Sequence, residues 1–246
     1  MIVRRLRLIA MTLLVCALAV PATRARAEDA KKTESKPVKL KKNQAYVAPN
    51  FADYKLVSFA LAPVTSLDRN ADTEKMVRQA SEAAFSGTKY KLQGSSYLME
   101  LVRKNGVEPQ FNAIQKSAAQ GAAVPDSATL GAVSRQVAAQ AILFSNVTQW
   151  QRLVVDPATR GQSFTQVGGD FALVSLRNGA VVWRGSFLEK GDGPYNDPNT
   201  AEVTERDATG NSTARQAQLE PPSYREVLEK LVNRVRGTLP KPPAKS

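Results

Sequence analysis

FALVSLRNGAVVWRGSFL, residues 171–188, places two apolar runs on either side of Asn178-Gly179. Asn-Gly suits a type I′ turn, whose two central residues both take positive φ, so the stretch predicts a β-hairpin. Pairing outward from that turn sets Leu176 against Val181, Val174 against Trp183 and Ala172 against Gly185. These pairs share one apolar face. Arg177, Ser175 with Val182, and Leu173 with Arg184 fall on a mixed, half-wet face. A slip of one residue would exchange the faces of Trp183 and Arg184, so burial is expected to pin the register.

Working toward the N-terminus, residues 141–150, AILFSNVTQW, read as a strand of β-branched and aromatic residues. Residues 163–166 begin the long strand that becomes the first hairpin arm, and Gly168-Gly169 within it predicts a bulge or bend. Earlier, residues 56–64, LVSFALAPV, read as a buried strand with Val57, Phe59 and Leu61 on one side and small residues on the other. A helix opens at Asp72-Thr73-Glu74 and stops at Gly87. Residues 90–93 make a short strand, followed by a helix capped by Ser95 or Ser96 with Leu98, Leu101 and Val102 on its buried stripe. Phe111, Ile114 and Ala118 mark another helical piece, and a further helix runs from Asp126 through Val137. Beyond the hairpin, residues 191–222 are rich in Gly, Asp, Asn, Thr and Pro and lack an apolar period, which predicts a long mobile loop. Ser223 and Glu226 match a capping box, and Val227, Leu228, Leu231, Val232 and Val235 then recur at helical spacing. The order predicts an α/β (α+β) fold: a mixed β-sheet of about five strands, with an antiparallel C-terminal meander and helices packed on its faces. The apolar hairpin face is expected to meet both the C-terminal helix and the helix before Ala141.

The ends of the chain set its address. Arg4, Arg5 and Arg7 precede an apolar run from Leu8 to Val20 and then Ala25-Arg26-Ala27, the pattern of a Sec signal peptide over residues 1–27. That run falls short of the ~20 residues a membrane helix needs. The single cysteine, Cys16, lies inside it and follows Val15 rather than a small residue, so lipid attachment there is not expected. Residues 28–50 read as a basic flexible leader, 51–190 as the α/β domain, 223–239 as a helix completing it, and 240–246 as a Pro/Lys-rich tail. The net charge of +12 resolves by position. The signal peptide holds five arginines, and residues 28–42 carry six lysines against three acids. Residues 225–246 carry six bases against two acids, and residues 43–224 carry no net charge. A nucleic-acid reader would show a basic face on its folded domain, so nucleic acid is not an expected partner. Basic termini suit weak contact with an anionic membrane surface or cell-wall polymers.

Three stretches in order resemble the CsgG-like and TolB-amino-terminal-like group of bacterial envelope proteins, which includes periplasmic lipoproteins. They are the strand ending in Ala62-Pro63 with the helix after it, Leu130-Gly131-Ala132-Val133 running to Gln140-Ala141-Ile142-Leu143, and residues 176–183, LRNGAVVW. The resemblance implies an α/β domain working in the periplasm, possible membership of an outer-membrane secretion or export complex, and a possible homo-oligomer. Residues 146–167 lack the continuous lipid-facing alternation of a transmembrane hairpin.

The chain has no histidine, which removes His-dependent triads, His-ligated metals and imidazole proton shuttles. Without a cysteine beyond Cys16, thiol nucleophiles and Cys-ligated metals go too. No phosphate-binding Gly-rich motif occurs. Neither catalytic residue, cofactor nor metal is assigned. Asp192, Asp197, Glu202, Glu205 and Asp207 do not match a calcium-loop spacing. The candidate binding surface is Trp150, Arg184 and Asp170. Trp150, beside Gln149 and Gln151 at a strand end, is read as the exposed aromatic. Asp170 is read at a strand margin with its charge in water, the alternative being the hairpin interior opposite Phe187. The expected function is a non-enzymatic periplasmic binding or scaffolding protein of the cell envelope, peripheral to the outer membrane and working through protein contacts there or at the cell wall. The alternatives are a secretion-complex subunit and a carboxylate-based envelope glycan hydrolase.

Overall fold

The computed structural model describes residues 40–67, 69–124, 126–197 and 219–243. The signal peptide, most of the leader, residues 198–218 and the last three residues lie outside the described residues, so those expectations are not addressed by it. The described chain forms β1 (Gln44–Val47), a 3-10 turn (Phe51–Tyr54), β2 (Ser58–Leu61), β3 (Thr65–Ser66), α1 (Ala71–Ser86), β4 (Lys91–Gln93) and α2 (Ser95–Lys104). It continues with α3 (Glu108–Gln120), α4 (Ser127–Ser134), β5 (Ala141–Leu153), β6 (Gly161–Ser175), β7 (Val181–Asn196) and α5 (Tyr224–Thr238). The seven strands make one mixed sheet in the order β1-β7-β6-β5-β2-β4, with β3 also on β5. β2 is parallel to β4 and β5, whereas β5, β6, β7 and β1 form the antiparallel run.

Helices cover both faces. On one, Phe59, Leu143, Leu173 and Trp183 pack with Val77 and Phe85 of α1 and with Val227, Leu228, Leu231 and Val235 of α5. On the other, Ala60, Ile142, Phe144, Ala172 and Val174 pack with Leu98 of α2, Phe111 and Ile114 of α3 and Val133 of α4. Local chemistry sets the helix ends. Asn70 accepts from the Asp72 and Thr73 amides, and Asp126 from those of Ala128 and Thr129. The Thr129 hydroxyl, with those two amides, holds the Asp126 carboxyl below its usual range. The Ser223–Glu226 capping box forms as read.

The hairpin forms, but its register differs from the expected one. Trp183 pairs with Leu173, Arg184 with Ala172 and Gly185 with Phe171, with a register shift between Leu173 and Val174. Gly179 alone of the turn residues takes positive φ, at 71°, and its amide bonds to the Ser175 carbonyl. Asn178 does not take positive φ, and its side chain accepts from the Ala180 amide. A longer turn therefore replaces type I′. The extra length moves one arm by a residue, yet Trp183 remains fully buried. Gly185 is needed beside it, since a Cβ there would lie 2.1 Å from the Phe187 ring, which stacks with Trp183 at 6.4 Å. Truncating an aromatic of this size in a core costs about 3–5 kcal/mol.

Four other expectations change. The face expected to be half wet is buried too: Leu173 and Val182 pack with Trp183 under α1 and α5, while Ala172, Val174 and Leu176 pack under α2–α4, so the C-terminal helix and the helix before Ala141 lie on opposite faces of the hairpin. Residues 44–47, read as leader, pair with β7. Residues 191–196, read as loop, continue β7. The irregularity expected at Gly168-Gly169 lies across from them, where the register shift between Val147 and Gln149 leaves Thr148 as the extra residue.

Candidate functional site

β5, β6 and β7 are far longer than the other strands, and this length makes a surface. α5 stays with them: Trp150 stacks on Tyr224 at 4.5 Å, Arg152 pairs with Glu220 at 3.1 Å, and Arg234 pairs with Glu189 at 2.8 Å. On the opposite face, the residues of β5 and β6 that pack under α2–α4 end at Phe144 and Ala172. Beyond them, register places four cross-strand rows on that face: Asn146–Asp170–Ser186, Gln149–Gly168–Leu188, Gln151–Gln166–Lys190 and Leu153–Phe164–Asp192. Apart from Gly168 these side chains are half-buried or exposed. Among the described residues, α3 reaches the first of these rows, where Gln115, Ala118 and Ala119 line a cleft with Asn146 and Asp170, and the apolar cluster under α2–α4 includes none of the side chains of the other three.

Asp170 and Arg184 face one cleft where the helices stop. They line a shallow cleft with Thr65, Gln115, Asn146 and Phe144. The polar groups of this cleft hold element ends. The Thr65 hydroxyl donates to Asn146 Oδ1 at 3.0 Å, tying β3 to β5. Arg184 donates to the Ala119 carbonyl at 3.4 Å, at the C-terminal end of α3 where a cation is favoured by the helix dipole. Gly121 makes room for it: with φ of 67° and no Cβ, it leaves space that the guanidinium occupies. Asp170 is half-buried in mid-strand, opposite Asn146 and Ser186. It is neither at a strand margin nor opposite Phe187, because Phe187 pairs with Gly169.

Trp150 is not brought to this cleft. It lies half-buried on the α5 side, with Tyr224 against its ring. The residues that sequence reading passed over are its neighbours Gln149 and Gln151, with Gln166. Their signal was available as period-two alternation of polar and apolar residues in both strands.

A second depression runs between α1 and α5 on the outer side of the other helical layer. Met76, Ala80, Ala84, Leu228 and Val232 line it. Arg225, paired with Glu229 at 3.1 Å, and Arg236, which donates to the Ala84 carbonyl at 3.5 Å, stand at its rim. Small side chains on α1 leave the space, since Ala80 and Ala84 bring little bulk toward α5. Among the described residues no group of three or more carboxylates or other ligating side chains is placed to hold a metal. No helix of the described residues is long and apolar enough to cross a membrane.

No family model matches the chain, and no curated protein matches it. Among solved structures it is similar to lipoprotein GNA1162 from Neisseria meningitidis, at 18% identity over 55% of this chain and 83% of that one, with a TM-score of 0.40. It is also similar to the PelC dodecamer from Paraburkholderia phytofirmans, at 12% identity over 79% and 98% of the two chains, with a TM-score of 0.37. The NMR structure of E. coli LpoB aligns at 14% identity over 73% and 93%, with a TM-score of 0.31.

Proposed function

We propose that this is an exported, non-enzymatic protein of the bacterial cell envelope that binds or scaffolds other proteins at the outer membrane or cell wall, with a CsgG-like or TolB-amino-terminal-like domain. The observation that carries the reading is the α1–α5 groove. It has an apolar floor of Met76, Ala80, Ala84, Leu228 and Val232 and a charged rim. An apolar centre with a polar rim is the anatomy of a protein interface, and a groove between two helices suits an amphipathic helix. The signal-peptide pattern over residues 1–27 supports the setting. The lack of histidine, and of any cysteine beyond Cys16, supports a binding role over catalysis.

Site-specific photocrosslinking in the native envelope tests it. A crosslinker at Gln79 or Asn233, both exposed residues of the groove, should repeatedly attach one envelope protein. The same group at Tyr97, exposed on α2, should not. Ala80→Glu should abolish the product without changing the melting temperature appreciably, because Ala80 is only half-buried. Equal capture from Gln79 and Tyr97, or none from the groove, would remove the reading.

A further inference from the structure

We infer that the open face of the β5–β7 ribbon binds an uncharged glycan chain. The four rows named above extend about 20 Å at the rise of a strand, long enough for several sugar units. Their chemistry is unlike that of the α1–α5 groove. Four side-chain amides, Asn146, Gln149, Gln151 and Gln166, and the Ser186 hydroxyl share the face with three apolar side chains, Leu153, Phe164 and Leu188. Side-chain amides carry both donors and acceptors, matching sugar hydroxyls that also do both. Apolar side chains between them suit the C–H faces of the rings.

The face is also ordered before any ligand arrives. Gln166 donates to Gln149 across the strands, which uses one donor and one lone pair of the several these amides carry. Gly168 lies at the centre of the second row. A Cβ there would come within 3.0 Å of Leu188 and 3.3 Å of Gln149, so its absence lets those side chains close over the strand and keeps the surface level. At the tip, the Asn196 side chain donates to the carbonyls of Asp156, Pro157 and Thr159. Val155 N–H donates to Ser163 Oγ at 2.9 Å. The loop joining β5 to β6 is therefore held in one shape, and with it the ends of both strands.

Charge selects the class of ligand. Lys190 pairs with Asp192 and lies 4.8 Å from the centre of the Phe164 ring, so its charge is spent within the face. Asp170, at the helix-covered end, has Arg184 lining the same cleft. An anionic lipid surface or acidic polymer would call for a surplus of cations, and a protein interface would call for a more apolar centre. A neutral polysaccharide needs neither. This inference stands apart from the α1–α5 reading, since the two surfaces lie on opposite sides of the sheet.

The test is a titration of the whole protein with neutral oligosaccharides, an N-acetylglucosamine hexamer and a β-glucan oligomer, followed by amide NMR and calorimetry. The expected result is binding to at least one of them, insensitive to salt, with shifts concentrated at residues 149–153, 164–168 and 188–192. Gln151→Ala with Gln166→Ala should weaken it about tenfold or more, as two lost hydrogen bonds predict. Gln79→Ala, in the other groove, should leave it unchanged. The inference is overturned by no binding to either probe, by shifts confined to other elements, or by an unchanged affinity in the double variant. Binding that disappears with salt and transfers to anionic phospholipid vesicles would overturn it in favour of a charged surface. Concentration-dependent self-association mapped to the same amides would overturn it in favour of a second copy.

Discussion

Tyr90 shows how one side chain joins the ends of the fold. Its ring packs edge-on to Phe59 at 5.2 Å, and its hydroxyl donates to the Pro240 carbonyl at 2.5 Å just beyond α5. Burial pushes its pKa up from 10.0 to about 12, because the charged phenolate is disfavoured away from water. The folded state thus holds its proton where the unfolded chain has released it. Its contribution to stability is intact below pH 10.0 and is lost as pH rises toward 12. Urea denaturation between those limits should show stability falling with pH, and Tyr90→Phe should flatten that slope. At this scale Trp183 was legible as core because the arm carrying it has few polar positions. Asp170 and Arg184 were legible as unusual but not as neighbours, since the strand pairing that brings them together depends on the turn.

At the scale of elements, the β6–β7 turn separates propensity from context. Asn178-Gly179 invites a two-residue turn, but Val174, Leu176 and Val181 must also be buried against α2–α4. The longer turn satisfies that packing at the expense of the ideal dihedral pair. Gly179 still has φ of 71°, and a Cβ on it would lie 2.7 Å from Val124. Gly179→Ala should therefore destabilise by more than about 1 kcal/mol. Asn178→Ala should cost less, about 0.5–1.5 kcal/mol, for the hydrogen bonds it makes to Ala180 and Tyr54. Chemical denaturation of the two variants compares them directly; an equal or larger loss for Asn178→Ala would mean that the asparagine, not the glycine, holds the turn. Two caps were readable, since Asp126 and Ser223 act through amides two or three residues away, but neither Ser95 nor Ser96 caps α2, which starts after Gly94 without a side-chain cap bond. The length of β7 was not readable. Residues 191–196 look like a loop by composition, and they are a strand because β6 offers them partners.

At the scale of the molecule, the sheet carries one surface on each side: the α1–α5 groove outside one helical layer and the open ribbon on the other face. Ala80→Glu should affect crosslinking alone, and Gln151→Ala with Gln166→Ala glycan affinity alone. The combined variant should show the two losses without interaction, as distant sites do. A loss of glycan affinity in Ala80→Glu would instead mean that the sheet transmits between them. By itself the sequence determined the α/β class, the hairpin, the helices with the caps at Asp126 and Ser223, and the burial of Trp183, because spacing and end chemistry act over a few residues. Tertiary structure decided the hairpin register, the extent of β7, the helices' division between the two faces, and the cleft that Asp170 and Arg184 both line. Each of these depends on contacts between segments far apart in the chain, and burial of both sheet faces outweighs the preference of any single turn.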